Sequence, residues 1–593
     1  MTNKKQVAYA PYNFIPFPEK IINRYQDLNE LPSHDLSKEG DKHLLSGEIT
    51  FDIVAESPIL VAKGKDRNEK KSPNEFVKNA EGKYVIPGST LRGLIRNNVR
   101  VLSMSDWSRD IQEEKFYYRA VGESSTSLGK EYRRVLGITN DGQFGSVPRK
   151  VKAGYIVKYG RNYVIYPART DGGRKGKSYY KYHINKVPKK DKVKYRKYLE
   201  DGFEVQECKF SVNQYGKAIK LNNEDASFKG HMIFTGSIRN KRTFYIINEI
   251  NKAAKPIQLT EDDIKAFKAD YNYRKSKFFK KKRENLEKHF SLPRKNGIEA
   301  AKPCFYLHHN DKVYFGFTAF LRIPYNQTTK DLIPSRIKEK AFGIDYEQAL
   351  FGFVNNKVKD KEPDGNYASR IKVFPSELSE HPRNLVKSDV TLMGPRASSV
   401  QMYLEQELDK KDYYTYNDKH AQLRGMKQYW IKDTFIGSKG SQSLHLLPDS
   451  SVFSAKIRFE QLHKDELGLL LWALKGPTFH QLGMGKPYGY GVVKFTNFKC
   501  RAIRPMDKYD NLGNFFQIDM ENIDIDSYIE LYKHFIEEHF SINLEEAESL
   551  RLFFAMKEKS PLSQEKMKYM PLENGYDKKP KLPTVQDLLD GKY

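Results

Sequence analysis

The chain has 593 residues, 39 % of them hydrophobic and 13 % aromatic, which suffices for a large packed core and excludes wholesale disorder. Lys and Arg number 102 against 75 Asp and Glu, and a formal charge of +27 points to a polyanionic partner. No run approaches the roughly 20 apolar residues that cross a bilayer, no signal-like apolar stretch follows Met1, and three scattered cysteines argue against a disulfide scaffold, so a cytoplasmic protein without a membrane partner is expected.

Residues 1–45 are broken by Pro11, Pro16, Pro18 and Pro32 and read as an extended N-terminal arm. Its stretch Ala10–Phe17 is apolar enough to pack on a core or a partner. Next, Ile49, Phe51, Ile53 and Ala55 alternate with Glu48, Thr50, Asp52 and Val54, the period of a half-buried strand. A charged loop over 63–83 follows. Ile86-Pro87-Gly88-Ser89-Thr90 then opens a helix to about Ser103, because proline and Ser/Thr favour a helix start. Leu91, Leu94, Ile95 and Leu102 line one side, and Arg92, Arg96 and Arg100, four apart, form a basic stripe. Gly88 permits close backbone approach, and the free N–H groups around Ser89 suit an anion. Residues 46–105 are taken as the first part of the core.

Residues 106–335 lack simple periodicity and read as a large β-rich insertion, with strands over 151–166, 231–237 and 312–321. The part 230–325 offers a degenerate second sheet. Between Arg149 and Glu200 stand 17 Lys/Arg against three acids, with nine tyrosines interleaved. Basic side chains neutralise phosphates and aromatic faces stack on bases, so Arg149, Lys150, Lys152 and Tyr155 are candidate RNA contacts. The second basic run, Arg274 to Arg283, suits equally a solvated lysine-rich helix.

Residues 336–500 form the second part of the core. Phe453, Ala455, Ile457 and Phe459 alternate with polar neighbours as a strand, Asp465–Lys475 is an apolar helix, and a glycine-rich loop leads to a strand over 492–498. Strand, helix, loop and strand are half of a ferredoxin-like sheet. Residues 501–593 are more acidic and read as a helical extension. The fold class expected is α+β.

The loop Leu482-Gly-Met-Gly-Lys-Pro-Tyr-Gly-Tyr-Gly491 carries four glycines, Gly483, Gly485, Gly489 and Gly491, with Lys486 and Tyr488 between them. A hairpin needs one or two; four and a lysine suit a backbone lying against a phosphate chain. A dinucleotide fingerprint requires a helix after the glycines, and here a strand follows. The Gly-Lys-Ser/Thr of a P-loop is absent, and Cys304 with His308 lacks further zinc ligands at sensible spacing.

The loop resembles the C-terminal signature of the RAMP superfamily, the RRM-like proteins of CRISPR systems. Three further segments are similar to the backbone subunits of type III effector complexes, and they fall in the family's order. They are Ile86-Pro-Gly-Ser-Thr-Leu-Arg-Gly93, Ala349-Leu-Phe-Gly352 and Ala368-Ser-Arg-Ile-Lys-Val-Phe374. The resemblance covers roughly 47–105 and 340–498. It implies an RRM/ferredoxin-like RAMP core that cradles CRISPR guide RNA, meets target RNA and assembles with other effector subunits. Arg396, in Met393-Gly-Pro-Arg396, is assigned to the thumb or the guide channel. Family members often cleave target RNA with a loop aspartate and a divalent metal such as Mg²⁺; binding alone needs no cofactor. Pro73 falls where that aspartate would stand, leaving Asp66, Glu69 and Glu75 as the nearby acids. Two other readings remain open: a RAMP endoribonuclease that processes precursor CRISPR RNA, using a histidine such as His34, His43, His308 or His309, and a non-catalytic basic RNA-binding scaffold. The binding readings share one expectation, that the Gly88 helix entry and the glycine-rich loop form a single groove.

Overall fold

The computed structural model describes residues 7–34, 43–64, 72–141, 145–170, 176–212, 218–221, 226–235, 241–276, 280–309, 312–355, 365–504 and 520–592. The chain divides into two compact units, one of Met1–Glu114 with Gln327–Tyr593 and one of Lys115–Asn326. The second unit lies within the span 106–335 that reads in the sequence as an insertion.

In the first unit the main sheet takes β1 (Leu45–Ala55), β2 (Val85–Ile86), β3 (Ile371–Val373), β4 (Ser376–Leu378), β5 (Val452–Leu462), β6 (His480–Gln481) and β7 (Val492–Ile503). The strand order is β6-β7-β1-β5-β4-β2, with β3 also paired to β5 and the short strand Glu521–Asn522 paired to β7. β1 is antiparallel to both long neighbours, with Ile53 opposite Phe453 and Phe495. Its strict alternation buries Ile49, Phe51 and Ile53, as the period of two predicts.

Helix α1 (Gly88–Leu102) follows β2, helix α2 (Tyr346–Phe351) precedes β3, and helix α3 (Lys464–Lys475) follows β5. Leu91, Ile95 and Val99 of α1, with Leu467, Leu470 and Leu471 of α3, belong to one apolar cluster with the inward residues of β1 and β5. The C-terminal segment adds α4 (Ile525–Phe540) and α5 (Glu548–Ala555) to the same cluster through Ile529, Tyr532, Ile536 and Phe553. Helix α4 lies so close to α3 that a Cβ at Gly468 would stand 2.1 Å from the Tyr528 carbonyl oxygen. The N-terminal stretch is also tied down, because Tyr12–Ile15 pairs antiparallel with Met426–Tyr429.

The second unit holds two five-stranded sheets. One runs in the order 179–183, 243–248, 228–234, 204–212, 218–221; the other runs 257–258, 162–167, 152–159, 302–309, 312–316. Two helices, Glu261–Ser276 and Lys280–Phe290, pack on the second of these sheets. A basic helix, Lys189–Asp201, puts Tyr195 and Leu199 into the core of the first of these sheets.

Candidate nucleic-acid interface

Three of the four motif segments meet, and they meet one another. Arg92 donates from Nη2 to the Phe351 carbonyl oxygen at 2.7 Å and lies over the Phe351 ring. One turn on, Arg96 pairs with Glu347, and Arg100 stands 3.5 Å from the same carboxylate. Arg109 adds contacts of 2.7 Å to Asp345 and 3.0 Å to Glu347. Glu347 is 1 % exposed, so much of the stripe expected to face phosphate is committed to a buried carboxylate of α2. Arg370 serves α2 from the other side. It donates to the Ala349 carbonyl oxygen at 3.0 Å and, from Nη1, to Glu466 at 2.7 Å. Burial pushes Glu466 up, but Arg370 outweighs it and holds the carboxyl below its ordinary range. The Pro-Gly-Ser helix, the Leu-Phe-Gly turn and the Ser-Arg-Ile strand therefore form one buried ionic joint.

Gly88 is explained by that joint too, since a Cβ would stand 2.2 Å from the Val373 carbonyl oxygen. Ser89 is exposed at the helix start, and α1 has no side-chain cap.

The glycine-rich loop lies elsewhere. It joins β6 to β7 and packs on the segment after β1, with Gly491 N–H donating to the Pro58 carbonyl at 2.9 Å and Met484 N–H to Leu60 at 2.8 Å. Gly483, Gly485, Gly489 and Gly491 all have positive φ. Side chains at Gly483 and Gly491 would also collide with backbone, 2.0 Å from the Leu60 and 1.9 Å from the Leu482 oxygen. The sheet order puts β7, β1 and β5 between this loop and β3, the strand against which Gly88 packs. The single groove expected from the sequence is not formed: the two stretches belong to different parts of the sheet.

What the loop does present is charge. Burial lowers the pKa of Lys486. Lys557, just past α5, is 4 % exposed, with Gln428 Oε1 3.5 Å from its Nζ. Burial and the nearby Lys486 push the Lys557 amine down to about 7. Among the described residues no carboxylate acts on either amine to offset this. A desolvated amine that also feels a neighbouring ammonium group is what a nearby anion would relieve. Sequence reading had found Lys486 and missed Lys557; a lysine directly after the apolar run Leu552-Phe-Phe-Ala-Met556 was the available signal.

Tyr488 points from the same loop toward the segment after 390. Its hydroxyl accepts from Thr391 N–H at 3.1 Å, and its ring stacks on Phe435 at 6.2 Å. Arg396 is exposed, and its N–H donates to the Tyr403 hydroxyl at 3.3 Å.

The second unit's candidates divide. Tyr155 is 4 % exposed, its hydroxyl 2.8 Å from both His231 Nδ1 and the Asn248 carbonyl, so it is a core residue. Arg149 donates to Thr139 Oγ1 at 2.6 Å and Lys150 to the Arg134 carbonyl at 3.1 Å, while Lys152 is exposed. Tyr180 and Tyr182 of the sheet and Tyr195 of the basic helix are buried in one core, whereas Lys194, Arg196 and Lys197 of that helix face outward. The interleaved tyrosines mainly build the core of this unit.

Asp66 and Glu69 lie outside the described residues. Glu75 is half exposed and pairs with Lys63 at 3.2 Å. Among the described residues no three His, Cys, Asp or Glu side chains gather as a cation site.

Among known proteins, the model of the RAMP superfamily matches residues 52–247, about a third of the chain. The match starts within β1, takes in α1 and ends at the strand Thr243–Asn248 of the second unit. No curated protein matches. A chain of a solved structure described as "Cryo-EM structure of the Type III-B Cmr-beta bound to cognate target RNA" aligns over 76 % of this chain and 96 % of its own length, at 9 % identity and a TM-score of 0.18. A likeness that low supports neither fold nor function.

Proposed function

We propose, from the RAMP-superfamily match over residues 52–247, that the chain binds CRISPR guide RNA as a backbone subunit of a type III effector complex. Within the first unit, β1, α1, β3, β5, α3 and β7 run in β-α-β-β-α-β order along the chain and their strands lie in the order β7-β1-β5-β3, an arrangement that supports a ferredoxin-like, RRM-like core. The observation that carries RNA binding is the pair Lys486 and Lys557, two desolvated amines beside the glycine-rich loop on which no carboxylate of the described residues acts. A guide phosphate there would favour the charged form of Lys557 and offset the burial of Lys486. Ser89, Arg92 and Arg396 contribute as separate contacts along the strand and not as walls of the same groove. Target RNA and other effector subunits are the remaining partners in this reading. No cleavage step is assigned to Asp66, Glu69 or Glu75.

The purified protein is expected to carry RNA that nuclease removes, and its affinity for labelled single-stranded RNA should fall steeply with salt. Lys486→Met and Lys557→Met should each weaken binding about tenfold and flatten the salt dependence by close to one counterion. A phosphate holds Lys557 protonated, so its pKa is higher in the complex than the value of about 7 in the free protein. The affinity is therefore greatest below pH 7 and declines as pH rises through 7 and above. Wild-type affinity in both lysine variants would overturn the assignment. Incubating labelled target RNA with and without Mg²⁺ separates a binder from a nuclease.

A further inference from the structure

Beyond the lysine pair lies a surface that no sequence motif marked. Phe435 and Ile436 are 52 % and 58 % exposed, and Met393 is 48 % exposed. Phe435 is stacked on Tyr488 on one side, and Lys568 Nζ lies 5.2 Å from its ring. Tyr569, the next residue, is hydrogen-bonded to the Met393 backbone and feels the nearby hydroxyls of Tyr429, Tyr488 and Tyr403. Tyr403 in turn meets Tyr12 at 6.3 Å, and Lys427 Nζ lies 3.7 Å from the Tyr12 ring and 5.0 Å from that of Tyr429. The contacts are continuous from the glycine-rich loop, across the C-terminal segment, to the strand pair Tyr12–Ile15 and Met426–Tyr429.

Charge decides what such a surface takes. The carboxylates at its rim are already paired: Glu565 with Lys568 at 2.7 Å and Asp433 with Lys559 at 2.8 Å. Among the described residues no acid acts on Lys427 or Lys432, and the buried Lys432 amine donates to the Met567 carbonyl oxygen. Burial alone lowers Lys427 to about 8, and burial with the charge of Lys568 lowers Lys432 to about 8. The exposed Phe435 ring and the half-buried rings of Tyr488, Tyr569 and Tyr429 lie beside Lys568, whose carboxylate partner Glu565 is at the surface, and Lys427, on which no acid of the described residues acts; rings interleaved with ammonium groups are the chemistry of single-stranded nucleic acid sites. An apolar protein partner would satisfy Phe435 and Ile436 but leave the lysines worse off.

We propose that this strip, from Tyr488 and Phe435 through Lys568 and Tyr569 to Tyr429 and Lys427, is a second single-stranded RNA contact that stacks unpaired bases and holds their phosphates. It rests on the guide-binding reading above and extends it, since it makes the C-terminal segment part of the RNA path.

The test uses the full chain, an 18-nucleotide oligouridine with a fluorescein end label, and the same oligonucleotide carrying central 2-aminopurines. Wild type should quench the 2-aminopurine signal on binding. Phe435→Ala with Tyr569→Ala should weaken the 18-mer at least tenfold and abolish the quench, whereas Phe435→Trp should tighten it. Lys427→Met with Lys568→Met should lower the salt slope by about two. If Tyr569→Ala does not fold, Phe435→Ala and Phe435→Trp still bracket the effect at an exposed position. Unchanged affinity and quench in the strip variants, with Lys486→Met still weakening binding, overturn the strip and leave the loop assignment standing. That result with altered self-association in sedimentation marks a protein interface and equally overturns the proposal. RNA binding absent from wild type sinks both readings together.

Discussion

Single residues in this fold carry unusual protonation costs. Lys557 sits just past the apolar end of α5 and is pushed to about 7, against about 10.4 for a free lysine. Between those values the unfolded chain binds the proton and the folded chain does not, so stability rises with pH across that window. His480 acts in the same direction lower down. It is fully buried and accepts Asn98 Nδ2–H at Nδ1, and burial, with the charge of Lys557, lowers it to about 3. Stability is therefore also lost as pH falls below about 6.5, where the unfolded histidine takes up its proton. Replacing Lys557 by Met should stabilise the protein by a few kcal/mol at pH 6.5 and by much less at pH 10. Melting temperatures at the two pH values check this, and a variant that melts below wild type at pH 6.5 would show that the amine has a favourable partner. The same substitution is expected to weaken RNA binding, so the residue trades stability for an anion site.

Elements show how far the sequence could be read. The alternation in β1 and β5 and the helix signals of α1 and α3 are local, and each element lies within a few residues of its expected place. What local pattern could not show is the partner across 250 residues. The i, i+4 arginines of α1 looked like a phosphate stripe because spacing reports a shared face, not what that face meets. The face meets Glu347. Replacing Glu347 by Ala should cost about 3–5 kcal/mol, because it leaves Arg96, Arg100 and Arg109 in a buried joint without their shared carboxylate. Arg96→Ala should lower the melting temperature and leave RNA affinity within about twofold; a large loss of RNA binding in a stably folded Arg96→Ala would return the stripe to the interface. Tyrosines misled in a similar way. In the strand Lys152–Tyr159 both faces are covered, so Tyr155 turns inward although its Lys/Tyr neighbourhood reads as an RNA surface. The four-glycine loop reads as abnormal for a turn; all four glycines have positive φ, and a Cβ at Gly483, Gly489 or Gly491 would stand within 3 Å of a backbone oxygen. Gly491→Ala, forced to φ +72 with its Cβ on the Leu482 oxygen, should cost about 1–3 kcal/mol or more, measured by urea unfolding.

At the scale of the whole molecule, the C-terminal extension is where composition misjudges importance. Its acidic, helix-rich sequence reads as a cap, yet Ile529, Tyr532, Ile536, Leu550, Leu552 and Phe553 belong to the same apolar cluster as β1 and α3. At about 1.5–3 kcal/mol for each fully buried large side chain, these six side chains together are worth about as much as the entire stability of an ordinary domain, about 5–15 kcal/mol. The Tyr532 hydroxyl also donates to the Leu102 carbonyl at the end of α1, at 3.2 Å, so the segment holds both core helices. The N-terminal stretch is bound in as well, with Ala8 N–H donating to the Lys581 carbonyl at 2.8 Å. A chain ending at Arg504 should therefore fail to give a cooperative melt or near-ultraviolet circular dichroism, where a mere cap would leave both intact. Because Lys557, Lys568 and Tyr569 lie beyond that point, the truncation would remove core and RNA surface at once. The decisive comparison is thus between the truncated chain and the full-length Phe435→Ala/Tyr569→Ala variant. If the extension acts as both core and surface, the truncation loses structure and binding, while the double variant keeps the wild-type melt and loses only the RNA.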